Sequence, residues 1–402
     1  MDASVPNPLE TLTLDMLRRR TSEKWRHYPA DMLPLWVAEM DVVPPEPVIQ
    51  AVHTAMSLGD TGYPSGDVYP RVLSQFASDR WGWGGLDPER MVTVPDVMTG
   101  LVAAVELLTD RDDAVVVCSP VYPPFYGYMR QAGRRILEAP LTPTGRLDPE
   151  AIRAVLTQAC STTPQPVLLL ANPHNPTGVA HTRDELAAVA AVARDLGARV
   201  VADEIHSPLV LDGTEFLPFL SVPGAENAFS VFSASKAWNL AGLKSAVLSA
   251  GPEAAADLRR IPWTVNAGVS HVAVIAHCAA LEHGGPWLDA LLTGLEQNRD
   301  RVLSLVDEHL PGVTVSRPQA TYLAWLDGTA LDLPAPAEDA PSKPFGLTGP
   351  AAFFFDHARV ALNDGALYGS GGQGFVRLNF GTSSSILREA FERMGTALRK
   401  RR

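Results

Sequence analysis

The chain has 402 residues, 46% of them hydrophobic and 19% charged, with a formal charge of −12 at pH 7 and a pI near 5.3. Those values exclude a disordered scaffold, leave room for two domains or one large one, and disfavour nucleic acid, which clustered basic surface binds. Three separated cysteines, Cys118, Cys160 and Cys278, offer neither a disulfide framework nor a zinc site, and no apolar run suits a signal peptide or a bilayer span, so a cytoplasmic protein without a bound metal is expected.

In chain order, the opening segment leads through "LPLWVAEMD" (33–41) and "VMTG" (97–100) into alternating short apolar runs and amphipathic stretches. The runs are "DAVVVCSP" (113–120), "PQPVLLLANP" (164–173), "ARVVADEI" (198–205), "AFSVFSAS" (228–235) and "KSAVLSAG" (244–251). Apolar on both sides, they predict strands buried on both faces, the habit of a mostly parallel sheet covered by helices. Between them, "TRDELAAVAAVARDLG" (182–197) predicts a helix capped by Thr182 with Glu185 three positions on and closed by Gly197. This is an α/β core.

From about Pro252 the pattern changes to long helical segments (252–261, 269–284 and 286–310) and three strand-like pieces, "VTVSRP", "TYLAWLD" and "FVRLNFG". A final amphipathic helix is expected from about Ser385, and the basic run at Arg399–Arg402 reads as its solvated end. The expected organisation is a large α/β domain over 45–285 and a smaller α+β domain from 1–44 and 286–402. The stretch "PAPAEDAPSKPFGLTGP" (334–350) is a Pro/Gly-rich loop, long for a connection inside a compact domain and therefore a functional candidate. There is no internal repeat.

Four pieces carry chemistry: "NPHNPTG" (172–178), "ADEIHS" (202–207), "SASKAWNLAGLK" (233–244) and "GFVRLNFGT" (374–382). The first three each stand at the C-terminal end of an expected strand, the edge where open α/β sheets bind ligands. They converge on one site, which is why Lys236 is more than a surface charge. Ser233 to Lys236 also matches S-x-x-K of serine hydrolases, but no K-T-G follows. Gly369, Gly371 and Gly374 match G-x-G-x-x-G, yet they precede a strand instead of following one, and so predict a turn rather than a dinucleotide site.

Taken in this order, together with "GYP" (62–64), "SPVYPPF" (119–125) and "LNDGALYGSGGQGFVRLNFGTS" (362–383), these motifs resemble the pyridoxal-phosphate enzymes of the aspartate-aminotransferase fold. Within them the chain is similar to the MalY/PatB-type cystathionine β-lyase, or C–S lyase, branch. The resemblance spans nearly the whole chain and implies fold type I of the class I/II superfamily, with a seven-stranded, mostly parallel central sheet and pyridoxal 5'-phosphate as cofactor. It assigns Lys236 as the Schiff-base lysine and Asp203 as the carboxylate that keeps the pyridine nitrogen protonated, with Tyr122 stacked on the ring and Asn175 and His206 at its oxygen. Such a cofactor needs an amine, an acid and a phosphate cradle.

The cradle implied is Val97, Met98 and Thr99 at a helix start, with Ser233, Ser235 and Lys244, and Tyr63 contributed by the neighbouring subunit of a homodimer. Arg377 corresponds to the arginine that holds the substrate carboxylate, for which a bidentate guanidinium is suited; Trp36 and Ala38 join it as substrate-side residues. Trp238 and Trp263 are expected in the core, and Asn175-Pro176 reads structurally as a cis turn. Three departures from the family pattern stand out: Asp96 replaces a glycine at the phosphate turn, "MDVVPPEP" lacks an aromatic after Met-Asp, and the 334–350 loop is long.

The implied reaction is β-elimination from an L-cysteine S-conjugate, giving thiol, pyruvate and ammonia, with the Lys236 amine as general base. Transamination shares its first steps and stays open, as do decarboxylation and oxidative deamination. A non-enzymatic regulator on the same fold is the other class of reading. High Ala, Gly, Pro and Arg usage suits a GC-rich bacterium and leaves primary sulfur metabolism and antibiotic-type specialised metabolism both open.

Overall fold

The computed structural model describes residues 5–331, 333 and 346–401; residues 334–345 of the Pro/Gly-rich loop lie outside the described residues. In chain order the strands are β1 (Leu33–Pro34), β2 (Met91–Val94), β3 (Ala114–Ser119), β4 (Arg135–Pro140), β5 (Val167–Ala171), β6 (Arg199–Asp203), β7 (Phe229–Phe232) and β8 (Ala246–Ala250). They continue with β9 (Thr314–Val315), β10 (Leu323–Asp327), β11 (Val360–Ala361), β12 (Asn363–Asp364) and β13 (Phe375–Asn379).

The expected α/β architecture is what forms. A seven-stranded sheet has the order β2-β8-β7-β6-β5-β3-β4. β8 runs antiparallel to both its neighbours, while β7, β6, β5, β3 and β4 pair in parallel. The five strands visible as apolar runs are the five inner ones, and all of their residues are buried. The edge strands β2 and β4 are mostly half-buried, so their sequences lack the continuous apolar run by which inner strands are recognised. Separate hydrophobic clusters fill the two faces of this sheet, with Val115 and Val117 in one and Val116 and Leu168 in the other. Successive side chains along a strand point to opposite faces, and apolar residues at consecutive positions supply both layers.

The four-stranded sheet β12-β13-β10-β9 is antiparallel. β1 pairs in parallel with β11, which ties the N-terminal segment to the C-terminal part of the chain. A third cluster unites Leu9, Leu17 and Met40 with Leu295 and Val302 on the helix Gly285–His309 and Phe391 and Met394 on the helix Ser384–Arg401. Thr182 and Glu185 form the expected reciprocal cap on Arg183–Asp195.

Two expectations are corrected. The segment 252–261 is helical only over Ala255–Leu258; at its C-terminal end Pro262 disfavours helical conformation at the preceding Ile261. Trp263 is not core but 77% exposed, whereas Trp238 is fully buried and donates from Nε1 to Gly284 O at 3.2 Å. The glycine match at 369–374 is a turn into β13, and Gly369, Gly371 and Gly374 all take φ between 83° and 87°, the left-handed region that favours glycine.

Candidate active site

The connection between β7 and β8 explains why two lysines eight positions apart face one place. β7 ends at the C-terminal edge of the sheet, and β8 returns antiparallel from that same edge, so residues 233–245 stay on the rim. Ser233 folds the loop back by donating to Ser245 O at 2.7 Å and accepting from Ser235 N–H at 3.2 Å. Ala234, Ala237 and Trp238 are fully buried beneath it. Asn239 grips Met40 through both its backbone groups, at 2.8 and 2.9 Å, and so holds the strap 36–41 over the loop.

Beside that loop lies a cavity of about 260 Å³. Of the residues singled out from sequence, Lys236, Asp203, Tyr122, Asn175, His206, Val97, Met98, Ser233, Ser235, Lys244 and Ala38 line it. Thr99, Arg377, Trp36 and Tyr63 do not. The Thr99 amide donates to Asp96 Oδ1 at 2.8 Å, and Tyr63 is 87% exposed. Trp36 packs its ring against His27 and Tyr28 and turns only its carbonyl toward Arg377.

Lys236 donates from Nζ to Ala38 O at 2.9 Å. Burial, reinforced by the Arg377 charge, lowers its pKa to about 8 against the opposing pull of Asp203 and Glu39. The amine therefore loses its proton far more readily than a surface lysine. Asp203 ends β6 and accepts one hydrogen bond, from Ile205 N–H at 3.1 Å; burial pushes its pKa up to about 6, so the carboxylate is short of positive partners. Next to it Glu204 is buried with Asn172 Nδ2, Phe219 N and Ser230 Oγ donating to it at 3.0, 2.7 and 2.6 Å. Burial holds His206 well below the ordinary imidazole value, aided by the Lys236 and Arg377 charges, and its Nδ1 has no partner among the described residues.

Arg377 sits on β13 opposite Trp325. Arg377 is 2% exposed, its guanidinium donates to Asn175 Oδ1 at 3.1 Å and Trp36 O at 2.9 Å, and its Nε has no partner among the described residues. No carboxylate pairs with it among the described residues. A buried cation satisfied only by neutral acceptors is ready for an anion, because a carboxylate accepts two parallel bonds from a guanidinium.

The helix Val97–Leu108 points its first amides at the cavity, with Asp96 as cap. Asp96 does not point away: Oδ2 accepts from Lys244 Nζ at 2.9 Å. Although burial raises it, the Thr99 amide and Lys244 hold its carboxyl below the usual range.

Tyr128, Ile205 and Ser245 also line the cavity and were not singled out from sequence. Neither was Tyr322, whose hydroxyl donates to Ala38 O at 2.9 Å, the carbonyl that accepts Lys236. Tyr322 lies in the quoted strand "TYLAWLD", and only its fully buried hydroxyl distinguishes it from a core aromatic.

These donors fit a phosphorylated pyridine aldehyde. The cavity offers an amine of depressed basicity, an under-satisfied buried carboxylate, an aromatic wall, and amides with a lysine at a helix start, while His206 Nδ1 and Ser245 Oγ are buried with no partner among the described residues.

A model of the family described as aminotransferase class I and II matches residues 30–394. A Mycobacterium leprae protein named "Putative cystathionine beta-lyase" is 54% identical over 98% of each chain, and cystathionine beta-lyase PatB of Bacillus subtilis is 34% identical over 92% of this chain and 93% of its own. Among solved structures, a "putative plp-dependent beta-cystathionase" from Corynebacterium diphtheriae superposes with a TM-score of 0.88 at 32% identity, covering 96% of this chain and 98% of the other.

Proposed function

The chain belongs to the class I and II aminotransferase family, and from that premise we propose that it is a pyridoxal-phosphate-dependent C–S β-lyase acting on an L-cysteine S-conjugate of the cystathionine type. The observation that carries this reading is the convergence of Lys236, Asp203 and Tyr122 on one cavity, in a chain 54% identical to a protein named for that activity. When bound, the cofactor supplies an electron-poor ring that stabilises negative charge at the substrate Cα.

The protein's own residues do the rest. Lys236 Nζ anchors the cofactor and then removes the Cα proton, a task suited to an amine whose pKa is about 8. Asp203 stabilises a positive charge on the ring nitrogen, and its burial strengthens that interaction. Arg377 exchanges Asn175 Oδ1 and Trp36 O for the substrate carboxylate. With the cofactor bound, Asn175 and His206 would contact the ring oxygen, Tyr122 would stack on the ring, and Val97, Met98, Ser233, Ser235 and Lys244 would receive the phosphate. Water then completes the balance: conjugate plus water gives thiol, pyruvate and ammonia.

Two copies assemble so that exposed Tyr63 reaches the neighbouring site, and the chain divides into a large domain over 45–285 and a small domain from 1–44 and 286–402. The test incubates the holoenzyme with L-cystathionine and S-alkyl cysteines without any keto acid, following thiol, pyruvate and ammonia. Sustained equimolar formation of all three is expected. A cofactor that stalls in its amine form until a keto acid is added would make the protein an aminotransferase instead.

A further inference from the structure

Asp96 is an acid placed where an anion is to bind. Its two oxygens are committed to the two groups that would otherwise serve a phosphate, the Thr99 amide at 2.8 Å and Lys244 Nζ at 2.9 Å. Asp96 and Lys244 both line the cavity, so the cradle's one lysine arrives already neutralised. The helix start still offers the amides of Val97 and Met98, and the loop offers serine hydroxyls.

The other ionisable groups facing the cavity do not change this balance. Tyr128 comes from the helix Pro124–Gln131 and Tyr122 from the turn before it, and burial pushes the Tyr122 phenol further from ionisation. From the end of β6 come Asp203, which adds negative charge, and His206, which burial keeps neutral. Among the described residues that line the cavity Lys236 is the one remaining cation, and the proposed chemistry takes up its amine. Fixed positive and negative charge at the phosphate end thus cancel, Lys244 against Asp96.

On this ground, and resting on the cofactor assignment above, we propose that Asp96 makes the cradle select a phosphate monoester in its singly charged, protonated form. One proton on the ester removes one of two charges facing Asp96 and gives the phosphate a donor toward that carboxylate. A phosphate monoester ordinarily loses its second proton near pH 6, so binding of the protonated form weakens as the pH rises above that value.

The test uses the holoenzyme and Asp96→Asn, which keeps a side-chain acceptor for the helix cap and removes the charge. Pyridoxal phosphate is the probe, read by its dissociation constant and by the ³¹P resonance of the bound ester between pH 6 and 9. In the wild type the resonance is expected to titrate within this range, with the affinity falling toward high pH. In Asp96→Asn it should stay at the doubly charged position, with binding at pH 8 about tenfold tighter, the scale of one charge interaction in a partly solvated site. A wild-type resonance fixed at the doubly charged position, or equal affinities of the two proteins at pH 8, overturns the inference while leaving the cofactor assignment intact. Absence of any bound resonance and of a Lys236-dependent cofactor absorbance in both proteins overturns the assignment, and the inference with it.

Discussion

Replacing Arg377 by Lys keeps the charge and much of the length but removes the planar fork. In the resting site two of its nitrogens donate to Asn175 Oδ1 and Trp36 O at 3.1 and 2.9 Å, and under the proposed function these are the bonds the substrate carboxylate would take over. A hydrogen bond to a charged group contributes about 1.5–3 kcal/mol, and lysine would retain one of the two. The expected loss is therefore about 2 kcal/mol, or roughly 30-fold in kcat/KM at 1.36 kcal/mol per decade. Because the carboxylate is bound before and during proton removal, most of the loss should appear in KM. Steady-state kinetics with L-cystathionine, alongside the absorbance of bound cofactor, measures it. A normal KM with an unchanged cofactor spectrum would show that Arg377 does not bind the carboxylate, and the guanidinium would then be a structural tie between β13 and the strap.

Asp203→Asn should retain the fold and cofactor but lower kcat by at least about a hundredfold, since the ring nitrogen loses its buried counter-charge; turnover above a tenth of wild type would contradict the assignment. Lys24 and Asp41 form a fully buried ion pair at 2.8 Å, with Trp25 Nε1 on the second carboxylate oxygen at 2.9 Å. Lys24→Met should cost about 3–5 kcal/mol in chemical denaturation by stranding Asp41; a loss below 1 kcal/mol would show that water reaches the site. Burial lowers His174 to about 3 and His181 and His277 to about 4. A depressed histidine gives stability that is whole above the unfolded value near 6.5 and is lost as pH falls through it. Buried Asp203 and Glu204, raised to about 6 and about 7, oppose this, because protonation relieves them. His206, also held low by burial, makes four depressed histidines against two carboxylates, so the apoprotein Tm should fall between pH 7 and pH 5, and His277→Gln should flatten that fall; an unaltered slope would count against a neutral, buried His277.

The sequence by itself determined the inner strands and the motif loops that follow them, because a strand covered on both faces must be apolar at consecutive positions and a loop at its C-terminal end is free to carry polar chemistry. Lys236, Asp203 and Asn175 were legible for that reason, each standing just beyond or at the end of such a run. Edge strands β2 and β4 were not legible as apolar runs, since half-burial leaves no such signal. Nor was the short helix at 255–258, where Pro262 disfavours helical conformation at Ile261 despite helical composition, or the exposure of Trp263, which depends on what packs beside it. Only the tertiary structure decided that Ala38 O is shared by Lys236 and Tyr322, residues 86 positions apart. It likewise decided that Asp96 turns toward Lys244 rather than away. Both facts depend on the antiparallel return of β8 and on the strap 36–41 crossing the rim, and such long-range placements follow from how strands and loops pack, which local residue patterns do not encode.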